Sequence, residues 1–484
     1  MWDNPEVLDI DVESGRTTQV ARPNPVVSNW VADASGVVRM GSQRDRDSGK
    51  MRVLYRADAK ENFRTILHET PDRYQDTELP DYILPGPNKA YALSNREGYR
   101  ALYEYDLDKM ALGKKVFGVA GYDISGATLT PDGAALQSVR YTDQRTHHVF
   151  YDPRLREIAQ VLDAQFGAGN VAIASADAKR EKILFAISGQ GQVPAYYLFD
   201  TVSGDVSLIT WSSETLKNAQ LNPVKTFRYT ASDGKSIEAI LTLPRHHMGE
   251  KNRPLIVMPH GGPWARDDAD WDNYQWAQAL AEYGYVVVQP NYRGSTGYGK
   301  EFGKAVDGNW GLRMQDDLND VIPWLAKDGT IDPKRVCIMG ASFGGYAAMW
   351  AAVRNPETYR CAISFAGVSD VASMLRYDSR SMTATRYFRD WRTRVQGDKH
   401  FELDTVSPLK QVERMRVPIL LAHGEDDDNV PLYQSRRLHE ALLKLGRAHE
   451  YVVYPKEGHG FADPVHSTDF LTRVGKFLDA HNPS

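Results

Sequence analysis

The chain has 484 residues, of which 42% are hydrophobic and 25% charged. These proportions are those of a globular protein with a large core, and the length favours two domains over one. The net charge of −5 gives no overall field that would attract nucleic acid or an anionic membrane.

No apolar run approaches the roughly 18 residues of a membrane span. The opening segment MWDNPEVLDIDVE has acids where an export signal needs basic and then apolar residues. We therefore expect a soluble protein with neither nucleic-acid nor membrane partners, the cytoplasm being slightly favoured over the periplasm or secretion.

The two cysteines, Cys337 and Cys361, each lie in a strand-like apolar run. We interpret both as small buried core residues. Because two cysteines indicate little about the redox compartment, they leave the location of the protein open.

The first half of the chain repeats a pattern of apolar or aromatic residues, an aspartate and a polar turn. It occurs in LDIDVESG, LYRADAKE, YEYDLDKM, VFYDPRLR and YLFDTVSG, whose aspartates are Asp11, Asp58, Asp106, Asp152 and Asp200, at intervals of 47, 48, 46 and 48 residues. Alternating runs and turns between them predict short strands. A period in the forties built from strands predicts β-propeller blades of about 47 residues, with four strands each, over residues 1–218. The alternative is a β-sandwich with accidental spacing.

The second half, residues 219–484, alternates short apolar runs with amphipathic helical stretches. The runs are LIVMP (255–259), VVVQPN (286–291), VCIMG (336–340), CAISFAG (361–367), ILLAHG (419–424) and YVVYP (451–455). Such runs suit strands buried on both faces, and their alternation with helices predicts a mostly parallel, doubly wound sheet.

The pentapeptide Gly340-Ala341-Ser342-Phe343-Gly344 has the form G-x-S-x-G. A predicted strand precedes it and a predicted helix follows it, which is the context of a nucleophile elbow. Glycines two residues before and after the serine permit a sharp turn, because they lack the Cβ that would clash there. We predict that Ser342 is a nucleophile rather than a serine in a structural turn.

A serine nucleophile needs a base and an orienting carboxylate, which in this fold follow in the order serine, acid, histidine. His459 lies in the loop EGHGF after the last predicted strand, where flanking glycines leave its ring free, and we predict that it is the base. We interpret His423, at the end of the preceding strand, as a turn residue. Spacing alone does not select the acid among four consecutive candidates, which are Glu425, Asp426, Asp427 and Asp428.

Six motifs in order resemble the catalytic domain of the prolyl oligopeptidase family of serine peptidases, and most closely its acylaminoacyl-peptidase branch. They are HGGP (260–263), NYRGSTGYG (291–299), GASFGG (340–345), SPL (407–409), HGEDDDNVP (423–431) and EGHGF (457–461). The family writes its acid motif as H-G-x-x-D-x-x-V-P, and this resemblance selects Asp427. It also implies a β-propeller before an α/β-hydrolase domain, with about seven blades where we count five markers. The propeller of this chain is therefore expected to be incomplete or truncated, with exposed sheet edges that favour pairing with another chain, and homo-oligomerisation stays open.

The mechanism that this resemblance implies is acyl transfer through Ser342, Asp427 and His459. The Phe343 N–H and an N–H of the HGGP loop would form the oxyanion hole, with Gly262 the first choice and Gly261 the next. His260 stands where some relatives carry a tyrosine that assists the oxyanion, and we expect it to shape the loop instead.

The segment 374–394 interleaves aromatic residues with arginines. We predict that Tyr387, Phe388 and Trp391 line an apolar substrate pocket and that Arg386 or Arg389 binds a peptide carboxylate. The alternative is an amphipathic cap helix without contact to substrate. No acidic pair for holding a free amino terminus is identifiable in residues 1–215.

The sequence thus predicts a serine peptidase of short peptides that needs neither metal nor other cofactor. Alternatives are a carboxylesterase or a dipeptidyl peptidase with the same triad. A protein of another class, catalytically inactive and binding through its propeller, is a further alternative that the intact triad residues disfavour.

Overall fold

A computed structural model describes most of the chain. It covers residues 4–45, 48, 50–70, 72, 74–86, 88–167, 169–188, 193–271, 275–381, 385–397 and 401–484, without the side chains of residues 380–390. The first part is a series of small antiparallel sheets and the second is built on a single large sheet.

Within the described residues, five small sheets follow one another in chain order, which confirms the propeller-like fold and overturns the sandwich alternative. Their strands are β1 (Val7–Ile10), β2 (Thr17–Ala21), β3 (Asn29–Ala32), β4 (Val38–Arg44), β5 (Met51–Tyr55), β6 (Arg64–Glu69), β7 (Tyr82–Ile83), β8 (Lys89–Ser94), β9 (Ala101–Asp106), β10 (Ala111–Phe117), β11 (Ile124–Leu129), β12 (Leu136–Thr142), β13 (Thr146–Phe150), β14 (Val171–Ala176), β15 (Lys182–Ile187), β16 (Ala195–Asp200) and β17 (Val206–Trp211). The sheets are β1–β2, β3–β6, β7–β10, β11–β13 and β14–β17, each strand paired with its neighbour in sequence. Three of these five sheets have the predicted four strands.

The repeated aspartate closes the turn after the penultimate strand of a sheet. The Oδ1 of Asp106 accepts hydrogen bonds from the N–H groups two and three residues later, and that of Asp200 does the same. Asp11 repeats this pattern at the β1–β2 turn, and Asp58 accepts the bond from Lys60. An aspartate is suited to this position because its short side chain satisfies turn N–H groups that no strand can reach.

The fourth sheet departs from the predicted pattern. Asp152 makes the same two hydrogen bonds, but it caps a helix, α1 (Pro153–Phe166), instead of turning into a fourth strand. Pro153 favours this outcome because its fixed φ suits the first helical turn. Leu155, Ile158 and Leu162, spaced three and four residues apart, are buried on the side of α1 that faces the fifth sheet.

The second part contains one eight-stranded sheet in the order β18-β19-β21-β20-β22-β23-β24-β25, which confirms the α/β-hydrolase fold. Its strands are β18 (Val224–Thr230), β19 (Ser236–Thr242), β20 (Arg253–Val257), β21 (Val286–Asn291), β22 (Ile331–Ala341), β23 (Cys361–Phe365), β24 (Ile419–Gly424) and β25 (His449–Tyr454). β19 pairs antiparallel with both of its neighbours, β18 and β21, and all neighbours from β21 to β25 run parallel. The predicted boundary at residues 218 and 219 falls between β17 and β18.

Helices cover both faces of this sheet. They are α2 (Trp276–Glu282), α3 (Lys300–Lys304), α4 (Arg313–Ala326), α5 (Phe343–Arg354), α6 (Val371–Ser381), α7 (Thr385–Gln396), α8 (Tyr433–Lys444) and α9 (Pro464–His481). Successive residues of a strand serve opposite faces: Val336 and Ile338 pack in one core, and Cys337 and Met339 in the other. A strand segment buried on both faces must be continuously apolar, as β22 is from Val336 to Ala341.

Cys337 and Cys361 are buried, as predicted, but they form a disulfide rather than two separate thiols. The two residues are direct partners in the register of the parallel strands β22 and β23, and both belong to the same core. The pairing was not predicted, because the apolar runs alone do not give the strand register.

The two parts meet along the loop after β21 and the segment that follows the HGGP motif. Tyr122 donates a hydrogen bond to Glu238 at 2.6 Å, and the Lys300 N–H donates to the Gly98 carbonyl at 2.9 Å. Arg266 donates to the Thr142 carbonyl at 3.0 Å. These contacts place the third and fourth small sheets against β19, the loop that follows β21 and the segment after the HGGP motif.

Candidate active site

Ser342 lies between the end of β22 and the start of α5, in the strand-turn-helix context that the sequence predicts. Its φ of 58° is in the left-handed region, which is strained for a residue with a Cβ. A Cβ on Gly344 would lie 2.2 Å from the Pro259 carbonyl oxygen, and one on Gly340 would lie 2.5 Å from the carbonyl carbon of Gly344. Glycine is required at both positions because backbone passes where a side chain would begin.

Asp427 and His459 are in direct contact. The distance from His459 Nδ1 to Asp427 Oδ2 is 2.7 Å, and the Asp427 carboxylate is fully buried. Its Oδ1 also accepts the N–H groups of Asn429 and Val430 at 2.9 Å. Burial acts to raise the pKa of Asp427, but hydrogen bonds from His423, His459 and Val430 outweigh it and hold the pKa well below its usual range. The carboxylate is therefore ionised and fixes a proton on Nδ1 of His459, which leaves Nε2 as an acceptor.

The loop that carries His459 is tied to the end of β24. The Asp426 N–H donates to the Glu457 carbonyl at 2.9 Å, and a Cβ on Gly424 would lie 2.1 Å from the Gly458 oxygen. The buried Glu457 carboxylate accepts the N–H of Ala462 at 2.7 Å. The glycine and the glutamate of these two motifs thus hold the histidine loop against the aspartate loop.

His423 is more than a turn residue, which corrects the interpretation from sequence. Its Nε2 lies 2.8 Å from the Val430 carbonyl oxygen and 3.4 Å from Asp427 Oδ2, and its side chain is fully buried. Two oxygens face Nε2, so this nitrogen carries the hydrogen. His423 therefore stabilises the loop from Asp427 to Val430 by contacting both of its ends on the side that faces the core.

Ser342 and His459 line one cavity, together with Gly261 and Phe461. A quarter of the His459 side chain is exposed to solvent. Among the described residues, no hydrogen bond joins the Ser342 hydroxyl to His459. Such bonds are often long in unliganded enzymes and tighten when substrate binds.

The HGGP loop passes beside Ser342. A Cβ on Gly261 would lie 3.4 Å from Ser342 Cβ, while Gly262 has a φ of 113° that favours glycine. His260 Nδ1 lies 2.7 Å from the Gly261 carbonyl oxygen and its Nε2 lies 2.8 Å from the Ser295 hydroxyl. Burial lowers the pKa of His260 to about 4, so its ring is neutral. These bonds agree with a role in shaping the loop.

The NYRGSTGYG motif supports the HGGP loop. Tyr292 donates a hydrogen bond to the His260 carbonyl at 2.7 Å, and its ring stacks on the His260 imidazole with centroids 4.4 Å apart. Arg293 is anchored in turn by a buried ion pair, since its Nε donates to Asp317 at 2.8 Å. In the sequence, this motif was recognised only by its resemblance to the family. Its role in holding the HGGP loop depends on contacts that form in the folded protein.

Only Trp391 of the predicted substrate-pocket side chains is described. Arg386, Tyr387, Phe388 and Arg389 have side chains outside the described residues, so their predicted roles stay predictions. The Trp391 ring lies 4.9 Å from that of Trp264 and 5.5 Å from that of Trp310. Trp310 packs edge-on against Phe343 at 4.8 Å. An aromatic cluster thus extends from the residue after Ser342 to α7.

A β-propeller followed by an α/β-hydrolase domain with a serine at its nucleophile elbow is the architecture of a serine-type peptidase. Residues 271–483 match the model of the prolyl oligopeptidase family. Dipeptidyl aminopeptidase BIII of Pseudoxanthomonas mexicana is 29% identical over 98% of this chain and 69% of its own length. The acylamino-acid-releasing enzyme of Homo sapiens is 28% identical over 50% of this chain and 33% of its own length. This chain thus spans only part of these relatives.

Solved structures share the fold. A puromycin-hydrolyzing peptidase of Mycobacterium tuberculosis aligns with a TM-score of 0.75 at 21% identity, over 97% of this chain and 72% of its own. The acylaminoacyl peptidase of Pyrococcus horikoshii aligns with a TM-score of 0.69 at 19% identity, over 98% and 74%. The resemblance predicted from the motifs is confirmed: residues 271–483 of this chain match the prolyl oligopeptidase family of serine peptidases. No helix in the described part of the chain is long and apolar enough to cross a membrane.

Proposed function

We propose that the protein hydrolyses short peptides through Ser342, His459 and Asp427, by way of an acyl-enzyme. The observation that carries this proposal is the 2.7 Å contact between His459 and the buried Asp427, with His459 in the same cavity as the elbow serine. The three residues are far apart in sequence and lie directly after β22 and in the loops that follow β24 and β25. This arrangement supports the roles of nucleophile, base and orienting acid.

In the first step, Nε2 of His459 takes the proton of the Ser342 hydroxyl as the oxygen attacks the peptide carbonyl. Asp427 stabilises the imidazolium that forms and keeps the ring oriented. His459 then donates this proton to the leaving nitrogen, and the acyl group stays on Ser342. A water molecule, deprotonated by the same histidine, releases the acid product and restores the hydroxyl.

The negative oxygen of the tetrahedral intermediate needs donors. The Phe343 N–H is the first, because at the start of α5 it has no carbonyl partner within the helix. The second is an N–H of the HGGP loop, from Gly262 or from Gly261, which lies against Ser342. Loss of one such donor typically costs about 3 kcal/mol in the transition state.

The substrates that we propose are short peptides, cut by oligopeptidase or acylaminoacyl-peptidase action. The two relatives named above support this class, since one is a dipeptidyl aminopeptidase and the other releases acylamino acids. We assign Trp391 to the wall of the acyl-side pocket, because the aromatic cluster joins it to Phe343 through Trp310.

The test compares three substrate types under one assay: acyl-aminoacyl anilides, dipeptidyl anilides with a free amino terminus, and p-nitrophenyl esters. We expect anilide hydrolysis that Ser342→Ala abolishes. Preference for the acylated or the free dipeptidyl anilide assigns the protein to one of the two peptidase types. Ester cleavage without any anilide cleavage would contradict the proposal and favour a carboxylesterase.

A further inference from the structure

A cavity of about 310 Å³ lies beside Ser342 and His459. Four large apolar side chains line it, those of Met258, Trp276, Phe365 and Phe461, and its polar lining residues include His260, Arg266, Asp267 and Gln289. Core packing holds these walls, since the Phe365 ring lies 4.7 Å from that of Phe461 and 6.0 Å from that of Trp276. The cavity is therefore formed before any ligand arrives.

The position of His459 shows which half of a substrate would reach this cavity. In the reaction proposed above, on which this inference rests, His459 donates its proton to the leaving nitrogen, so the residue that bears this nitrogen lies beside the imidazole. The chain continues from His459 through Gly460 and Phe461 along the cavity wall. Phe343, whose N–H we assign to the oxyanion, packs its ring instead against Trp310 at 4.8 Å. The Trp310 cluster thus belongs to the acyl side and the cavity to the leaving side.

Small residues keep the cavity open next to the nucleophile. Gly261 and Ala341 both line it, and a Cβ on Gly261 would lie 3.9 Å from the Ser342 hydroxyl oxygen, so a larger side chain there would occupy the space. For scale, an apolar cavity of about 150 Å³ accepts benzene. A volume of about 310 Å³ is enough for the side chain of phenylalanine or leucine.

We propose that this cavity binds the side chain of the first residue of the leaving peptide and selects large apolar or aromatic side chains there. Specificity would then be set on both sides of the scissile bond. The driving force is burial of apolar surface against the aromatic walls, which core packing already holds in place.

The experiment uses the full chain and substrates that share one acyl part and differ only in the leaving group, which is phenylalanine amide, leucine amide, glycine amide or glutamate amide. The anilide of the same acyl part, which has no leaving residue, measures the chemistry alone. We expect kcat/KM for the phenylalanine and leucine substrates to exceed that for glycine by roughly 10- to 100-fold, as burial of such side chains gives. Glutamate is expected to rank with glycine or below it.

Two variants of Phe461 test the wall. Phe461→Ala should lower the phenylalanine-to-glycine ratio of kcat/KM at least about fivefold, whereas Phe461→Leu, which keeps an apolar wall, should keep most of it. Phe470→Leu is the matched control, because Phe470 packs on Phe461 and Trp276 within the core without lining the cavity. It should leave the ratio unchanged.

The outcomes separate the two proposals. Anilide hydrolysis that depends on Ser342, combined with a phenylalanine-to-glycine ratio near one, would overturn the cavity assignment and leave the peptidase proposal standing. A ratio that falls equally in Phe461→Ala and Phe470→Leu would also overturn the assignment. Absence of anilide hydrolysis would overturn the proposed function and the inference with it.

Discussion

His423 Nε2 lies 3.4 Å from Oδ2 of Asp427, and both side chains are fully buried. His423 is the second-last residue of β24, and Asp427 is four residues later, in the loop that follows this strand. The same nitrogen donates to the Val430 carbonyl at 2.8 Å. Asp427 therefore meets two imidazoles, one that faces substrate and one that faces the core. The second has no route to the reacting atoms, and we assign it the role of a positioning residue.

Substitution of His423 should separate a hydrogen-bonding role from simple packing. His423→Gln keeps an N–H donor near the position of Nε2, and we expect it to retain kcat within several-fold. His423→Leu leaves the Val430 carbonyl and one side of the carboxylate unsatisfied, which costs about 1–3 kcal/mol in the free energy of unfolding. We expect its kcat to fall at least about tenfold with KM little changed, in a peptide-anilide assay normalised to folded protein. Equal loss in both variants would show that His423 only fills space.

His260 predicts a pH dependence of stability. Its pKa is lowered to about 4 by burial, against about 6.5 in the unfolded chain, so between these values the unfolded state binds the extra proton. Stability must therefore fall as pH decreases from about 6.5 to about 4. His260→Asn can donate to the Gly261 carbonyl but cannot titrate. We expect the stability advantage of wild type over this variant to be about 2 kcal/mol smaller at pH 5 than at pH 7.5 in urea unfolding; a constant difference would show that His260 titrates normally.

Gly344→Ala should disrupt the elbow, because its Cβ would lie 2.2 Å from the Pro259 oxygen and the backbone has no room to yield. We expect a loss of about 3 kcal/mol or more in the free energy of unfolding, with loss of activity. Gly303→Ala is the matched control, since nothing lies within 4 Å of that position in α3. It should be neutral or slightly stabilising, as alanine favours a helix. A stable, active Gly344→Ala variant would show that the elbow has a different geometry.

The disulfide closes a separation of 24 residues between two core strands. In oxidised protein we expect neither Cys337 nor Cys361 to react with an alkylating agent after denaturation, until a reductant is added. Replacement of both by alanine should lower the unfolding free energy by about 3–4 kcal/mol, as expected for a loop of this length. Two alkylated cysteines in protein purified without reductant would contradict the pairing.

Local patterns predicted the fold well. The repeated aspartates could be recognised because each accepts hydrogen bonds from N–H groups a few residues later. The G-x-S-x-G elbow could be recognised because its glycines lie where a Cβ would clash with nearby backbone. The helix α1 was also encoded locally, by the Asp152 cap and Pro153, but it was missed because the repeat implied a strand at that place.

Contacts between residues that are distant in the chain could not be predicted from the sequence. Pairing of the cysteines depends on the register of β22 against β23, which an apolar run does not specify. The contact between His423 and Asp427 depends on how the loop folds under the strand end. Likewise, Trp264, Trp310 and Trp391 come from three separate segments, and only the packed domain joins them in one cluster.

The most direct test of the central claim is covalent labelling with a fluorophosphonate followed by peptide mapping. We predict a single adduct, on the Ser342 oxygen, absent in Ser342→Ala and formed on the order of 10³-fold or more slowly in His459→Gln and Asp427→Asn. Circular dichroism of each variant shows that it is folded. A folded wild-type protein that stays unlabelled, or is labelled at another serine, would contradict the assignment of Ser342, His459 and Asp427 as the catalytic residues.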